Sequence, residues 1–493
     1  MEIAAEAAGE LPASGKPCFQ GGELRGNGNS LVCFAAAAYK LMKLRYYEAD
    51  ADTLREIMGS ILKRQKLSEE QYEDRISSLP DSLIAQILSR LPTKYAVSTS
   101  VLSTRWKQLW TSITSFDIID DLLLCPQNDS ANPSLQRSFT SFVSPVLLHH
   151  VSCVQRFRLI CSQSYDASLV NGWIADTLLR NVRELDLSFQ TKHYIMLPQD
   201  LFTCRTLVVL KLEAYCDMNN VPTSVSLPSL RILHLCGSRF VDDDSINRFL
   251  FGCPVLEELH MSVCGVENVS VINIVAPMLT SLFIDHCSFG NKRPPHGSDC
   301  KIVLDTPALL YLTMCNSIEH RCYLVENLHH LIRADICVYA DDASAVSKAL
   351  MDLLKGISNV QFLQLRCLIE DTSMRDCQLP KFPNMTLLEL DDHCDGRWAF
   401  VLELLENSQH LETLVFKEGL GVDGKAFTQS LRNRAPNVPS CLLSHLKEIE
   451  IRYFEGMQEG WEMVECFLEN AKVLEKLNMH YASSERDWTI KIR

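Results

Sequence analysis

The pattern L-x-x-L-x-L, with other aliphatic or occasional aromatic residues standing in for leucine, recurs from Cys153 to the end of the chain. Clear copies are Leu230-Arg231-Ile232-Leu233-His234-Leu235 and Leu256-Glu257-Glu258-Leu259-His260-Met261. Thirteen copies align on Phe157, Leu185, Leu210, Leu233, Leu259, Leu282, Leu312, Ala334, Leu363, Leu388, Leu414, Ile449 and Leu477, with centres 22 to 35 residues apart. A unit this short cannot hide its own apolar face. Neighbouring copies must therefore stack and share one continuous core.

This spacing is the leucine-rich-repeat signature, and it predicts an α/β solenoid with parallel strands on the concave face and helices on the convex face. Stretches with apolar residues three or four apart, Ala345 to Leu354, Trp398 to Leu405 and Trp461 to Ala471, are expected to be the convex helices. Cys264 and Cys287 fall where the consensus prefers Asn or Cys, so both are expected to bond loop backbone inside the coil. Strand alternation turns the leucines inward and the residue between the last two outward. The outward row is Asp186, Lys211, His234, His260, Phe283, Thr313, Asp335, Gln364, Glu389, Val415, Glu450 and Asn478. Its charge, amide and aromatic character suits protein or peptide recognition, although ordinary solvated strand residues would look similar. Lys211, His234, His260, Phe283 and Gln364 are the candidate substrate-binding residues.

Ahead of the repeats, Asp74 to Ile118 carries three short helical patterns. In the first, Leu83, Ile84, Ile87, Leu88 and Leu91 share one face, with Pro80 where a helix tolerates a missing N–H and Asp81 near the positive dipole end. Pro92 stops that helix. Thr93 is expected to cap a second helix carrying Ala96, Val97, Ser100 and Val101, and Ser103 a third carrying Trp106, Leu109 and Trp110. About 45 residues bury too little surface to be comfortable alone, so the surplus of Leu, Ile and Trp predicts docking against a partner. A DNA-reading helix-turn-helix is the competing use of three such helices. It would present Arg, Lys, Asn or Gln to base edges, whereas the third helix offers Trp106 and Trp110 with only Arg105 and Lys107 as cations.

The run Asp74-Arg75-Ile76-Ser77-Ser78-Leu79-Pro80-Asp81-Ser82-Leu83-Ile84, then Ile87-Leu88-Ser89-Arg90-Leu91-Pro92-Thr93-Lys94 and Val101-Leu102-Ser103-Thr104-Arg105-Trp106-Lys107-Gln108-Leu109-Trp110, resembles an F-box of the plant type. Tyr95 departs from the usual charged residue and Thr104 from the usual basic one. The resemblance implies that a Skp-type adaptor, which joins a cullin scaffold, contacts Leu79, Pro80, Leu83, Ile84, Ile87, Leu88, Leu91, Val101, Leu102, Trp106, Leu109 and Trp110. For any one apolar residue among them, a place in the F-box core is the competing role.

At the other end, Val438 to Ile451, Phe467 to Ala471 and Val473 to Leu477 resemble the FBD module of plant F-box proteins. The resulting division is a flexible extension over 1–73, the F-box over 74–118, a linker and solenoid start over 119–152, leucine-rich repeats over 153–437 and FBD-like closing repeats over 438–493. The family implies a substrate-recognition subunit of an SCF-type ubiquitin ligase, with the repeats selecting an unidentified target protein. Two alternatives share the architecture. One is a repeat scaffold that recruits no ligase; the other is a receptor holding a small ligand in the concave mouth, for which the row offers few basic residues.

Composition narrows the classes further. With 47% hydrophobic and 22% charged residues, the chain reads as globular, and because no basic n-region precedes an apolar stretch it is expected to be intracellular, cytoplasmic or nuclear. A net charge of −14 disfavours the clustered cations that nucleic acid requires. The apolar run Leu31 to Met42 is far too short to span a membrane. Twenty cysteines without one CxxC pair fit reduced thiols rather than a disulfide scaffold. Gly26-Asn27-Gly28-Asn29-Ser30 lacks the Lys-Ser/Thr of a phosphate loop, and neither HExxH nor GxSxG occurs. The adjacent pairs His149-His150 and His329-His330 turn their rings apart on any regular element, so no metal, cofactor or catalysis is expected.

Overall fold

The structure is a computed structural model that describes residues 76, 78–122, 133–150, 152–189, 195–218, 221–240, 242–262, 264–266, 271–285, 300–317, 321–326, 328–340, 343–369, 378–391, 398–420, 438–481 and 487–492. The expected extension over 1–73 and Cys287 lie outside the described residues. Contacts divide the chain into two compact units, one ending at Gln163 and the other beginning at Ser164.

In the first unit, helix α1 (Asp81–Leu88) starts after Pro80, whose ring fixes φ near the helical value and whose missing N–H costs nothing there. Pro92 occupies the same place before α2 (Thr93–Ser98), which passes into a 3-10 turn over Thr99–Val101. Thr93 is therefore the first helical residue rather than the cap. It is fully buried, and its hydroxyl accepts the N–H of Asp117 at 2.8 Å, tying α2 to strand β1 (Ser115–Ile119). Ser103 is exposed and outside any regular element, and α3 (Trp106–Leu109) begins three residues later without a side-chain cap. Helix α4 (Pro133–His149) and strand β2 (Arg156–Cys161) complete the unit, with β2 parallel to β1 and Phe157 level with Phe116. The neighbouring histidines do point apart: His149 bonds the Pro145 carbonyl at the surface, while buried His150 places Nε2 2.6 Å from the Ile113 carbonyl.

The second unit opens on α5 (Ala167–Leu178), whose first turn is closed by Asp166 accepting the N–H groups of Ser168 and Leu169. In chain order its strands are β3 (Glu184–Phe189), β4 (Val209–Ala214), β5 (Ile232–Cys236), β6 (Arg239–Phe240), β7 (Glu258–Ser262), β8 (Gly265–Val266), β9 (Val271–Val275) and β10 (Ser281–Asp285). They continue as β11 (Cys300–Asp305), β12 (Tyr311–Ser317), β13 (Arg321–Glu326), β14 (Arg333–Ala340), β15 (Phe362–Ile369), β16 (Leu387–Leu390), β17 (Thr413–Phe416), β18 (Glu448–Phe454), β19 (Lys476–Tyr481) and β20 (Asp487–Lys491). Between them lie α6 (Asp243–Phe251), α7 (Ala343–Gly356), α8 (Trp398–Glu406), α9 (Ser440–Ser444) and α10 (Gln458–Asn470).

One parallel sheet takes β3, β4, β5, β7, β10, β12 and then β14 through β19 in that order, and β20 lies antiparallel on β19. Every repeat centre within this unit, from Leu185 to Leu477, sits level with the next. None of those centres is more than 1% exposed, so the leucine ladder is the core of the solenoid. Cys264 is buried as expected, its Sγ near the carbonyls of Leu235 and Ser262, and burial pushes its thiol up to about 12.

The three expected convex helices are α7, α8 and α10. The return segments between β7 and β14 differ. There β9, β11 and β13 form a second parallel sheet in the order β13-β11-β9. Their sequences explain it: Val271-Ile272-Asn273-Ile274-Val275 is β-branched and alternates, burying Ile272 and Ile274, and Ile302 and Leu304 repeat the alternation in β11.

Candidate functional sites

Two surfaces collect the residues singled out above, one on each unit. On the F-box helices the apolar residues divide sharply. Ile84 and Leu88 are fully buried, and Trp106 and Leu109 are 6% and 7% exposed; these four fill the space between the helices. Leu79, Ile87, Leu91 and Trp110 are half-buried. Pro80 is exposed, and Leu83, Val101 and Leu102 expose 43%, 66% and 40% of themselves to solvent. The unit is thus satisfied inside and apolar outside.

Arg105, read from the sequence only as a cation, organises this surface. Its Nε donates to Asp81 Oδ1 at 2.9 Å, and its terminal nitrogen donates both to that oxygen at 2.6 Å and to the Leu79 carbonyl. The fork pins the turn carrying Leu79 and Pro80 against the start of α3. Both partners are substantially exposed, so the pair adds little to global stability. Arg105→Ala is expected to shift unfolding by less than about 1 kcal/mol. Hydrogen exchange should quicken at the Leu83 and Ile84 amides, which bond the Pro80 carbonyl at 3.0 and 3.2 Å. Unchanged exchange there would remove the positioning role.

The concave face of the second unit holds two groups of outward side chains. In the first, His234, His260 and Phe283 stand on successive strands β5, β7 and β10. Their rings form a continuous stack, with centroids 5.1 Å apart between the histidines and 4.0 Å between His260 and Phe283. His234 Nε2 also meets Glu258 Oε1 at 2.6 Å, and Lys211 stands level with His234 on β4. Three of the five candidate substrate-binding residues thus share one ledge, with Lys211 at its end.

Burial, aided by the neighbouring His234, holds the His260 imidazole below its usual 6.5. A lowered folded pKa means that the unfolded chain takes up the proton first. The stabilising contribution is present above pH 6.5 and is lost as pH falls through the folded value. His260→Phe should keep the stack and show a smaller loss of thermal stability between about pH 7 and pH 5. Identical pH profiles for the two chains would dismiss His260 as the acid-sensitive group.

Gln364 belongs to the second group. Its Nε2 donates to Asp391 Oδ2 at 3.0 Å, and its Oε1 accepts from Arg333 at 3.1 Å. Arg366 donates to the same Asp391 oxygen at 2.6 Å, Arg333 to Asp335 at 2.9 Å, and Arg452 to Glu450 at 2.7 Å. Lys417 lies 3.8 Å from Glu389 and 3.9 Å from Asp391. The single outward row missed Arg333, Arg366, Asp391, Lys417 and Arg452. Arg333, Arg366 and Arg452 stand two positions before or after the row on the same strands, where alternation also faces them outward, whereas Asp391 and Lys417 directly follow β16 and β17, and Asp391 is only 7% exposed. Basic residues are therefore present, but each faces a carboxylate. Two members of the row are not readable from outside: Val415 is 2% exposed and Asn478 is 8% exposed. Among the described residues no group of three or more His, Cys, Asp or Glu side chains is placed to hold a metal ion, and no helix is long and apolar enough to cross a membrane.

Comparison with known proteins bears on both surfaces. Residues 76–117 match the F-box domain family, residues 170–332 match the family described as "FBD-associated F-box protein At5g56370, LRR repeats", and residues 436–479 match FBD. The chain is 34% identical over 439 residues to the F-box/LRR-repeat protein At3g59200 of Arabidopsis thaliana, covering 83% of this chain and 82% of that protein. It is 32% identical over 411 residues to the F-box/FBD/LRR-repeat protein At5g56420 of the same plant, covering 81% and 90%. It is 30% identical over 449 residues to the FBD-associated F-box protein At5g44490, also of Arabidopsis thaliana, covering 86% and 88%.

Proposed function

Because the chain belongs to the family of F-box, leucine-rich-repeat and FBD proteins, we propose that it is the substrate-recognition subunit of an SCF-type ubiquitin ligase. In this reading the F-box seats a Skp-type adaptor, which joins a cullin scaffold, and the repeats select the protein to be modified. The chain performs no chemistry itself; its work is to hold two proteins together.

The observation that supports the adaptor contact is the sorting of apolar residues on the F-box helices. Ile84, Leu88, Trp106 and Leu109 already close the core, so Leu83, Val101 and Leu102 are not needed inside it. Water meets them in the isolated chain, and a second polypeptide that covers them gains the hydrophobic free energy the unit leaves unused. The concave ledge of His234, His260 and Phe283, with Lys211 beside it and Gln364 in the neighbouring polar group, is the proposed target-binding surface. Rigid rings offer large contact area at small cost in side-chain entropy.

The direct test mixes the purified chain with a purified Skp-type adaptor and follows both by size-exclusion chromatography with light scattering. A stable one-to-one complex is the expected result. Two separate peaks at concentrations well above micromolar would leave the repeats as a free-standing interaction scaffold.

A further inference from the structure

Strands β12 and β14 run parallel and level, so Cys315 stands directly beside Cys337. On each strand the preceding core residue, Met314 or Ile336, is buried, and the cysteine one step further on is only half-buried at the concave surface. Neither takes part in a disulfide. Five other thiols, Cys161, Cys216, Cys253, Cys264 and Cys441, are buried, and burial pushes each of them up. Cys236, which is also half-buried, has Ser262 as its level neighbour on β7.

Adjacent strands lie about 4.8 Å apart. That spacing falls inside the window of about 4.4 to 6.8 Å between Cα atoms that a disulfide accepts. Cβ atoms must approach to about 3.8 Å, so the bond requires the two strands to close slightly. The row continues with Arg366, which stands level with Cys337 on β15 and shares its charge with Asp391, while Asp285 stands level with Cys315 on β10; a cation on the Cys337 side and a carboxylate on the Cys315 side make Cys337 the readier thiolate.

We propose that Cys315 and Cys337 form a dithiol site that a peroxide oxidises to a disulfide across the concave surface. The Cys337 thiolate attacks one oxygen of hydrogen peroxide, breaking the O–O bond, forming a sulfenic acid and releasing hydroxide. The Cys315 thiolate then attacks that sulfur and displaces a second hydroxide. Two protons from the thiols convert the hydroxides to water, so two thiols and one peroxide give one disulfide and two waters. The two sulfurs lose two electrons and the peroxide gains them. A bond held between strands that must close to form it is easily reduced again. The site goes beyond the adaptor reading and does not depend on it.

The test treats the full folded chain with hydrogen peroxide, alkylates the remaining thiols, and maps tryptic peptides without reduction. Cleavage after Lys301, Arg321, Arg333 and Lys348 places each cysteine on a peptide of its own, 302–321 and 334–348. The expected result is a linked pair of these peptides, two hydrogens lighter than their sum, that separates on mild reduction. In Cys315→Ser the sulfenic acid at Cys337 should persist and be trapped by dimedone, whereas Cys337→Ser should react at least about tenfold more slowly at Cys315. Linkage of either cysteine to a different thiol would overturn the proposal. So would separate oxidation of both to sulfinate, or thiols left intact by peroxide that consumes glutathione in the same tube.

Discussion

A chain carrying Leu83→Asp together with Val101→Asp is expected to bind a Skp-type adaptor at least about 100-fold more weakly than the unaltered chain, with its unfolding midpoint unchanged. Both side chains are substantially exposed, at 43% and 66%, so a carboxylate at either position keeps its water in the isolated chain. Against a partner it must surrender that water without a counter-charge. An apolar contact that stabilises becomes a desolvation penalty of several kcal/mol, roughly the size of a hot-spot loss. Calorimetric titration measures the affinity and thermal unfolding the integrity. Undiminished binding would move the adaptor contact away from this face, and a lowered midpoint would mean that the two positions belong to the core after all.

The second large effect concerns the repeat ladder. Leu259 is fully buried between Leu233 and Leu282, its level neighbours on β5 and β10. Leu259→Ala is expected to lower the stability of the array by about 2 to 5 kcal/mol, because neighbours held in strand register cannot collapse into the vacated space. Leu259→Asp should prevent folding, since it buries a carboxylate between the apolar side chains of Leu233 and Leu282. The adjacent His260→Ala, which faces outward, should cost no more than about 1 kcal/mol. Urea unfolding followed by circular dichroism distinguishes the three. Comparable losses for Leu259→Ala and His260→Ala would mean that inward and outward positions have been exchanged.

What the sequence disclosed follows from how local each signal is. Thirteen six-residue motifs placed thirteen strands, because period-two alternation depends on neighbours only two residues away. Three convex helices were equally legible from apolar residues three or four apart. The return segments β9, β11 and β13 carry the same kind of local information, but helices were expected in three other returns and no element in these. Ser103 lies too far before α3 to cap it, and the cap at Thr93 failed because its signal has two readings. A hydroxyl next to Pro92 can cap a helix or accept from a distant strand, and the contact with Asp117 decides which. The surfaces were legible by residue type but not by exposure. Nothing in the run Leu83, Ile84, Ile87, Leu88 reveals that Leu83 faces water while Ile84 and Leu88 do not. The Arg333–Asp335–Gln364–Asp391–Arg366 arrangement joins β14, β15 and the residue that follows β16, segments 25 or more residues apart that only the register brings together.

Strand β20 ends the parallel sheet by running the opposite way along β19. A stack of parallel units can in principle accept one more from any neighbour, including another molecule, because its last edge offers the same hydrogen-bonding template as every interior one. β20 occupies that edge itself, pairing β19 from Lys476 to His480. A second molecule reaching for the edge of β19 must first displace a five-residue segment of the same chain, so the direct parallel continuation of the stack is covered from within.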